Sequence, residues 1–522
     1  MVNLLYFMDK FKYLFFLLGL MLLNLPLQAK KVNIEKAEKI AKAHVQFKQP
    51  SNVRKKLKLS HTAYHKSQIG QPALRSSNEP EDALYYIFNV PDEQGFIIVS
   101  GDDVAVPILG YSDEGNYDKS VSNPNFKYWI ECLEQEIEYA VENNIPQSVE
   151  NQALWQNYLN GNDNVPLRAA NAVSPLIQTR WNQGSPYSDL CPSGYYTGCV
   201  ATAMAQIMKY HRTPTTRTVT IPAYTTTTNQ TVIPEITGST TYDWSSMTNT
   251  YNASSSATTK TAVATLMYHY GAASKMDYTS TGSGAFTKDA GTALVTFFGY
   301  DKGIQYKQRN YYSNDAWHSL LLDELNAGRP IFYGGENSSD GHAFVCDGYD
   351  GNGKFHFNWG WSGMYDGYFV TTALNPGTGG AGAGSGTYNQ KQEILINIKA
   401  NEGGEFNYEI KIKANTNITS DKTSVARGET FSVSAPVFNR GLFNFTGNTG
   451  IALADANDQI IAILAQYSTS DLPPNYGWNT LNYTCSVPAT VIDGNYRLRA
   501  AFKPSGSSQW TISTGSDGYV DV

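Results

Sequence analysis

The hydrophobic period changes once along the middle of this chain, and that change limits its fold more than any single motif. Residues 199–210, 260–270 and 316–327 repeat apolar side chains at helical spacing. From 331 onward the apolar runs are short and strand-like, at 331–333, 343–346 and 354–358, and they are punctuated by glycine and asparagine. Helices first and strands later is the order of an α+β domain, not of alternating βαβ units.

At 522 residues this domain cannot be the whole molecule. About 150 residues per domain predicts three or four folded units. Upstream, 85–90 and 96–100 read as a hairpin closed by 91–95, after a helical opening near Lys31. Residues 126–141 follow as an amphipathic helix on Trp129, Ile130, Leu133, Ile137, Ala140 and Val141. That is a small α+β unit, ending in a polar link near Arg168. Downstream of 404, alternating runs at 431–434, 451–453, 460–464 and 496–500 are separated by Gly/Asn/Asp turns, the spacing of an all-β immunoglobulin-like sandwich. The expected division is 1–29, 30–168, 169–403 and 404–522. The Thr-rich stretch 215–232 reads as surface loop or edge strand.

Only 16% of residues are charged, which argues against long disordered tracts. The formal net charge of -7 leaves no basic stripe for phosphates, so nucleic acid and anionic membrane are excluded as partners. Residues 1–29 carry Lys10 and Lys12, an apolar run at 13–23 and then Leu27, Gln28 and Ala29, the pattern of a secretory signal cleaved after Ala29. Asn24 and Pro26 interrupt the run short of the ~20 residues a membrane span needs. No stable membrane insertion is expected, and the chain is placed outside the cell, in a periplasm or at the cell surface. The five cysteines, Cys132, Cys191, Cys199, Cys346 and Cys485, are odd in number and include no C-x-x-C pair, so a free thiol is expected and no structural metal site.

Cys199 opens the apolar helix of Val200, Ala203, Met204 and Ile207 and follows Gly198, which leaves room for a substrate backbone. Unpaired N–H groups at a helix N-terminus favour a thiolate, and with a nearby imidazolium can take a thiol from ~8.5 to roughly 3–4. By itself Cys199 reads equally as a buried core cysteine. Of the eight histidines, His44, His61 and His65 lie upstream of the expected link, and His211 sits about 18 Å along the same helix. His269, His318 and His356 read as structural or surface residues. His342 has a glycine before it, Gly341, and an apolar strand after it. It lies 143 residues beyond Cys199, within the ~130–150 interval of papain-like enzymes.

Sixteen residues further on, Asn358 can accept the imidazole N–H, with the Trp359 indole keeping water from that contact; alone, the segment also fits a Trp-rich core strand. Gln183 offers a carboxamide to pair with the Cys199 N–H as an oxyanion hole, or is an ordinary turn glutamine. Gly198, Gly341 and Trp361 are the expected substrate-binding positions. The glycine-rich stretch 377–386 lacks the Lys-Ser/Thr of a phosphate loop, and Asp350-Gly351-Asn352-Gly353 lacks a calcium ligand series and reads as a hairpin turn. No cofactor is called for.

The motifs Thr197-Gly198-Cys199-Val200-Ala201-Thr202-Ala203, Gly341-His342-Ala343-Phe344-Val345, Asn358-Trp359-Gly360-Trp361 and Asp366-Gly367-Tyr368-Phe369 resemble the streptopain family of papain-like cysteine peptidases, family C10. Gly95 to Asp102 and Pro107 to Tyr111 resemble that family's inhibitory prodomain, so the likeness covers roughly 30–400. It implies a papain-like fold, protein or peptide substrates, a prodomain that inhibits its own enzyme and is removed autocatalytically, a preference for hydrophobic residues at the second subsite, and a glycine-rich loop beside the active site. Leu167 before Arg168 places the expected processing site at Arg168. Outside the likeness stand the β-rich extension, whose ligand the sequence leaves open, and the thiols Cys191 and Cys346, of which Cys346 reads as core packing. A papain-like amidase or acyl transferase, and an inert adhesive or inhibitory protein, are the alternatives; the intact Cys199, His342 and Asn358 argue against the second.

Overall fold

The computed structural model describes residues 28–48, 56–65, 83–161, 171–336, 341–374, 392–414, 416–513 and 519–522. The expected signal before residue 28, Arg168 with Leu167, and the glycine-rich stretch 377–386 lie outside the described residues. The chain forms two compact units, one of 1–120, 131–167 and 372–386, the other of Val121–Ile130, Arg168–Thr371 and Thr387–Val522.

In the first unit, helix α1 (Ile34–Lys48) precedes an antiparallel meander of β1 (Lys58–Tyr64), β2 (Ala83–Asn89), β3 (Phe96–Ser100) and β4 (Ile108–Ser112). The expected hairpin is β2 with β3, in register from Asn89 opposite Phe96 to Tyr85 opposite Ser100. Helix α1 buries Ala37, Ile40, Ala41 and His44. The Trp155 indole, on the helix α3 (Val149–Leu159) that follows α2 (Pro124–Glu142), donates to Ala105 O at 2.8 Å, so a large ring is buried with its one polar atom satisfied.

The second unit is built around helix α4 (Cys199–His211), whose residues Val200 through Met208 are all buried. A helix apolar or small on every side belongs inside a core, and here the two polar members, Thr202 and Gln206, are buried with it. Short ladders follow in the Thr-rich region, β5 (Thr216–Arg217) with β8 (Thr240–Thr241) and β6 (Tyr224–Thr225) with β7 (Val232–Ile233). Then come α5 (Ala257–Ala273), α6 (Thr287–Phe298), β9 (Gln305–Gln308) and α7 (Asn314–Asn326). Ser256 and Ser313 cap α5 and α7 by accepting the N–H three residues on, which satisfies donors the first turn leaves open.

Strands β10 (Ile331–Glu336), β11 (Gly341–Tyr349), β12 (Phe355–Asn358), β13 (Gly367–Phe369) and β14 (Glu393–Ile396) complete an antiparallel sheet with the order β13-β12-β11-β10-β14-β9. The β11–β12 connection is the hairpin turn expected at 350–353: Asp350 N donates to Lys354 O, and its Oδ1 accepts from Asn352 N. The fully buried thiol of Cys346 lies in this sheet.

Residues beyond 404 are all-β among those described. The strands are β15 (Ile410–Ile412), β16 (Thr419–Ser420), β17 (Thr430–Ala435), β18 (Val437–Asn439), β19 (Phe445–Ala454), β20 (Ile460–Leu472), β21 (Leu481–Ser486), β22 (Arg497–Pro504), β23 (Thr511–Ile512) and β24 (Tyr519–Asp521). They form three sheets, β15-β18, β16-β17-β21 and β20-β19-β22-β23 with β24 on β22. Phe431, Val433, Phe445, Ile451, Leu453, Cys485 and Leu498 lie in their common core, which takes alternate residues of β17 in the manner of a half-buried strand.

Candidate active site

Gly198 precedes α4 at φ +85°, in the region that favours glycine, and a Cβ there would meet Ser283 O at 2.6 Å and Met276 Sδ at 2.7 Å. Only a glycine lets the chain turn into the helix at this point, and the turn puts Cys199 at the helix N-terminus. The thiol is half-buried, and the backbone N–H groups of Ala343, Val200 and Cys199 itself lie near enough to favour a thiolate. Burial pushes the thiol up, and those N–H groups, which pull the other way, do not cancel it. The direction is opposite to the depressed thiol expected from the sequence.

The N–H from Ala343 brings Cys199 to the second residue past Gly341 on β11, beside His342. His342 is half-buried, and its Nδ1 lies 3.2 Å from Asn125 Oδ1. The Asn125 amide nitrogen donates to Ala343 O at 2.9 Å and to Trp359 O at 2.7 Å. One residue from the start of α2 therefore touches three backbone or side-chain groups of the site. A turn later the Tyr128 ring stacks on the imidazole at 4.7 Å with 21° between planes. Phe126 packs on Trp359, Tyr365 and Phe369, and Trp129 on Phe344, Phe357 and Trp359, with its indole donating to Val370 O.

Asn358 does not hold the imidazole in this structure. Its Oδ1 accepts from Gln206 Nε2 at 3.0 Å and from Gly360 N at 3.1 Å, and its Nδ2 donates to Thr179 O at 2.7 Å. Trp359 is fully buried, its backbone N–H given to Asp366 Oδ1 at 2.9 Å and its indole to Tyr365 O at 2.7 Å. Gln183 has its backbone carbonyl tied to Thr197 N at 3.0 Å, two residues before the thiol, while its side-chain amide makes no hydrogen bond among the described residues. Gly341 is exposed with open space where a Cβ would sit, and Trp361 is half-buried with its indole nitrogen unpartnered. The structure thus brings Cys199 and His342 to one end of β11 and ties the Gln183 segment to Thr197 just ahead of the thiol. It gives Asn358 to the core.

The other histidines are accounted for by packing. His269 bonds Tyr242 OH at 3.0 Å, His318 packs on Tyr349 and Phe355, and His356 Nδ1 lies 2.6 Å from Asp347 Oδ1. Among the described residues, no group of three His, Cys, Asp or Glu is placed to hold a metal ion. The five cysteines are free thiols.

Sequence reasoning missed Asn125 and Gln206 as parts of this site, and singled out Asp366 only as part of a motif, without its bond to the Trp359 N–H. The Asn-Pro-Asn that opens α2 was a usable signal for Asn125. For Gln206, a glutamine on a helix otherwise small or apolar on every side was another, since such a residue must find a buried partner.

A thiol at the N-terminus of a buried helix, with a histidine at the start of the strand packed against that helix, is the arrangement of the cysteine peptidases. The Peptidase C10 family matches residues 181–369, and the Spi protease inhibitor family matches residues 29–137. Streptopain of Streptococcus pyogenes is 31% identical over 334 residues, 60% of this chain and 80% of its own length. The thiol protease/hemagglutinin PrtT of Porphyromonas gingivalis is 33% identical over 409 residues, 74% of this chain, and the match spans 44% of that longer relative. A mutant prointerpain A fragment from Prevotella intermedia superposes at a TM-score of 0.52 with 30% identity, covering 66% of this chain and 99% of the fragment. The chain belongs to the peptidase C10 family of cysteine peptidases, with a Spi-type inhibitory domain ahead of a papain-like one.

Proposed function

We propose that this chain is the zymogen of an exported cysteine endopeptidase in which Cys199 is the nucleophile and His342 the acid/base. The observation that carries this is the placement of Cys199 at the N-terminus of the buried helix α4, behind Gly198 at φ +85°, with the Ala343 N–H, next to His342 on β11, near enough to the thiol to favour a thiolate. In the reaction, the thiolate attacks the scissile carbonyl and the oxyanion forms between the Cys199 N–H and the Gln183 amide. His342 protonates the leaving amine, then takes a proton from the water that hydrolyses the thioester. Gly198, Gly341 and Trp361 line the substrate's path, and Trp359 covers the histidine side.

In the latent form Asn125 lies against the imidazole Nδ1 and Tyr128 stacks on its ring, which fixes the imidazole in one orientation. Removal of the prodomain by cleavage near Arg168 frees His342 to pair with Cys199. The division into a signal at 1–29, a prodomain at 30–168, a peptidase domain at 169–403 and an immunoglobulin-like sandwich at 404–522 fits this order of events. Substrates are proteins or peptides with a hydrophobic residue second from the scissile bond, and the β-module takes a partner of its own.

The test is a time course of residues 30–522 beside a Cys199→Ala copy under reducing conditions, following chain length and peptide hydrolysis together. The unmutated chain should shorten near residue 168 and gain activity while the copy does neither. Equal shortening of both, or hydrolysis by the copy, would overturn the assignment of Cys199.

A further inference from the structure

Gln206 lies two turns along α4 from Cys199, and its side chain is completely buried. Its Oε1 accepts from Thr179 Oγ1 at 2.9 Å and from Trp181 N at 3.2 Å, while its Nε2 donates to Asn358 Oδ1 at 3.0 Å. Asn358 closes the ring by donating to Thr179 O at 2.7 Å and accepting from Gly360 N at 3.1 Å. Five residues from three separate parts of the chain, none of them charged, share one buried hydrogen-bond network.

Those three parts are the ones the reaction needs. Helix α4 carries Cys199, the segment at Thr179 and Trp181 leads two residues later to Gln183, and the segment at Asn358 and Gly360 flanks Trp359. The neighbouring backbone repeats the tie, with Ser362 N donating to Trp181 O at 3.0 Å and Asn182 Nδ2 to Ser362 Oγ at 2.9 Å. In a dry site a displacement of about 1 Å costs on the order of a hundredfold in rate, so a single amide that fixes all three segments at once has kinetic leverage without touching substrate.

We propose that Gln206 is a positioning residue for peptide hydrolysis, setting the nucleophile helix, the Gln183 segment and the Asn358–Trp361 loop in one register. It rests on the assignment of Cys199 and Gln183 made above. The amide is required, because Gln206 must accept on one atom and donate on the other. A carboxylate at that position would face the Asn358 oxygen with a second acceptor, whereas a neutral carboxylic acid would again donate to it.

Gln206→Glu is the discriminating variant, measured after activation with the fraction of reactive thiol titrated by an irreversible thiol reagent. Near pH 5 its kcat should come within about threefold of the parent's. As pH rises to 8 its kcat should fall at least tenfold below the parent's with KM within about twofold, at temperatures well below its melting transition. Gln206→Met, which can neither donate nor accept, should lose kcat at every pH. A folded Gln206→Glu enzyme whose kcat follows the parent's pH profile would overturn the proposal. Should the Gln206 variants fail to fold, Thr179→Val removes one bond of the ring, and an unchanged kcat there would equally overturn it. A parent chain with no Cys199-dependent hydrolysis would instead sink the assignment on which the proposal rests, so the two failures are distinguishable.

Discussion

Asn125 and His342 are 217 residues apart, yet the histidine's position is set by that asparagine. Each of Asn125's three hydrogen bonds contributes about 1 kcal/mol net. Releasing even one or two shifts the balance between held and freed imidazole by roughly tenfold, at 1.4 kcal/mol per tenfold. Asn125→Ala in the 30–522 chain should therefore shorten the lag before self-processing by about that factor, while an enzyme matured by the proposed cleavage near Arg168, and so without residue 125, should keep the parent's kcat. A lag identical to the parent's would mean that Tyr128 stacking alone holds the histidine. At this scale the sequence was legible for local backbone: Gly198 marks the turn into α4 at Cys199, and Gly341 opens β11 ahead of His342. It was not legible for Asn125 or Gln206. An amide carries no mark of whether it faces water or a buried partner a hundred or more residues away: Asn358 bonds Gln206, Thr179 and Gly360 here, and Asn125 lies at the imidazole.

The connection between β12 and β13 shows how an element can be tuned without entering the chemistry. Asp366 Oδ1 takes the Trp359 N–H, while burial, opposed by the nearby His356 and Arg180 and aided by Asp347, pushes the Asp366 carboxyl up to about 7. A carboxyl that binds its proton more tightly folded than unfolded stabilises the fold below its ordinary value of 3.8, and that contribution is lost as pH rises toward 7. Asp366→Asn keeps an oxygen for Trp359 and removes the titration. Between pH 4 and pH 7 the parent's denaturation midpoint should fall relative to the variant's, and parallel midpoints would show that Asp366 is ionised without cost. The helices of strong 3.6 periodicity were legible to within three residues at each end, with α5 and α7 starting earlier, at their Ser256 and Ser313 caps. Helix α6 was not, because Thr287, Gly291, Thr292, Val295 and Thr296 are all poor helix formers; tertiary packing makes it a helix. Strands β19 and β20 run well beyond the apolar runs that announced them, since ladder hydrogen bonds continue through polar and small residues.

Residues beyond 404 belong to the same compact unit as the peptidase residues, and the contacts explain why. Asp301, buried, accepts N–H groups from Glu402 at 2.9 Å and Gly404 at 3.0 Å, fixing the connection. Glu409 pairs with Lys307 and, at 3.1 Å, with Lys411; burial raises its carboxyl, and the two ammonium groups more than offset that, leaving it below its ordinary value. Lys288 on α6 donates to Arg440 O and Asn475 Oδ1. Leu442 enters the core of the peptidase domain itself, against Gly291, where a Cβ would meet Leu442 Cδ1 at 3.0 Å and Leu395 Cδ2 at 2.9 Å. None of this could be read from turn spacing, because Asp301, Lys307, Lys288 and Gly291 each lie more than a hundred residues upstream of the residues they meet. Turn spacing reports strands, and it is silent on what their outer face meets. A tethered module would unfold by itself, whereas one that lends a leucine to its neighbour's core must unfold with it. Leu442→Ala should cost about 2–5 kcal/mol, the range for deleting a buried leucine side chain. In an inactive Cys199→Ala background, that loss should appear as a lower melting temperature for peptidase-domain tryptophans such as Trp181 and Trp317 as well as for the β-region. A variant in which only the β-region melts earlier would show that Leu442 packs on the peptidase core without supporting it.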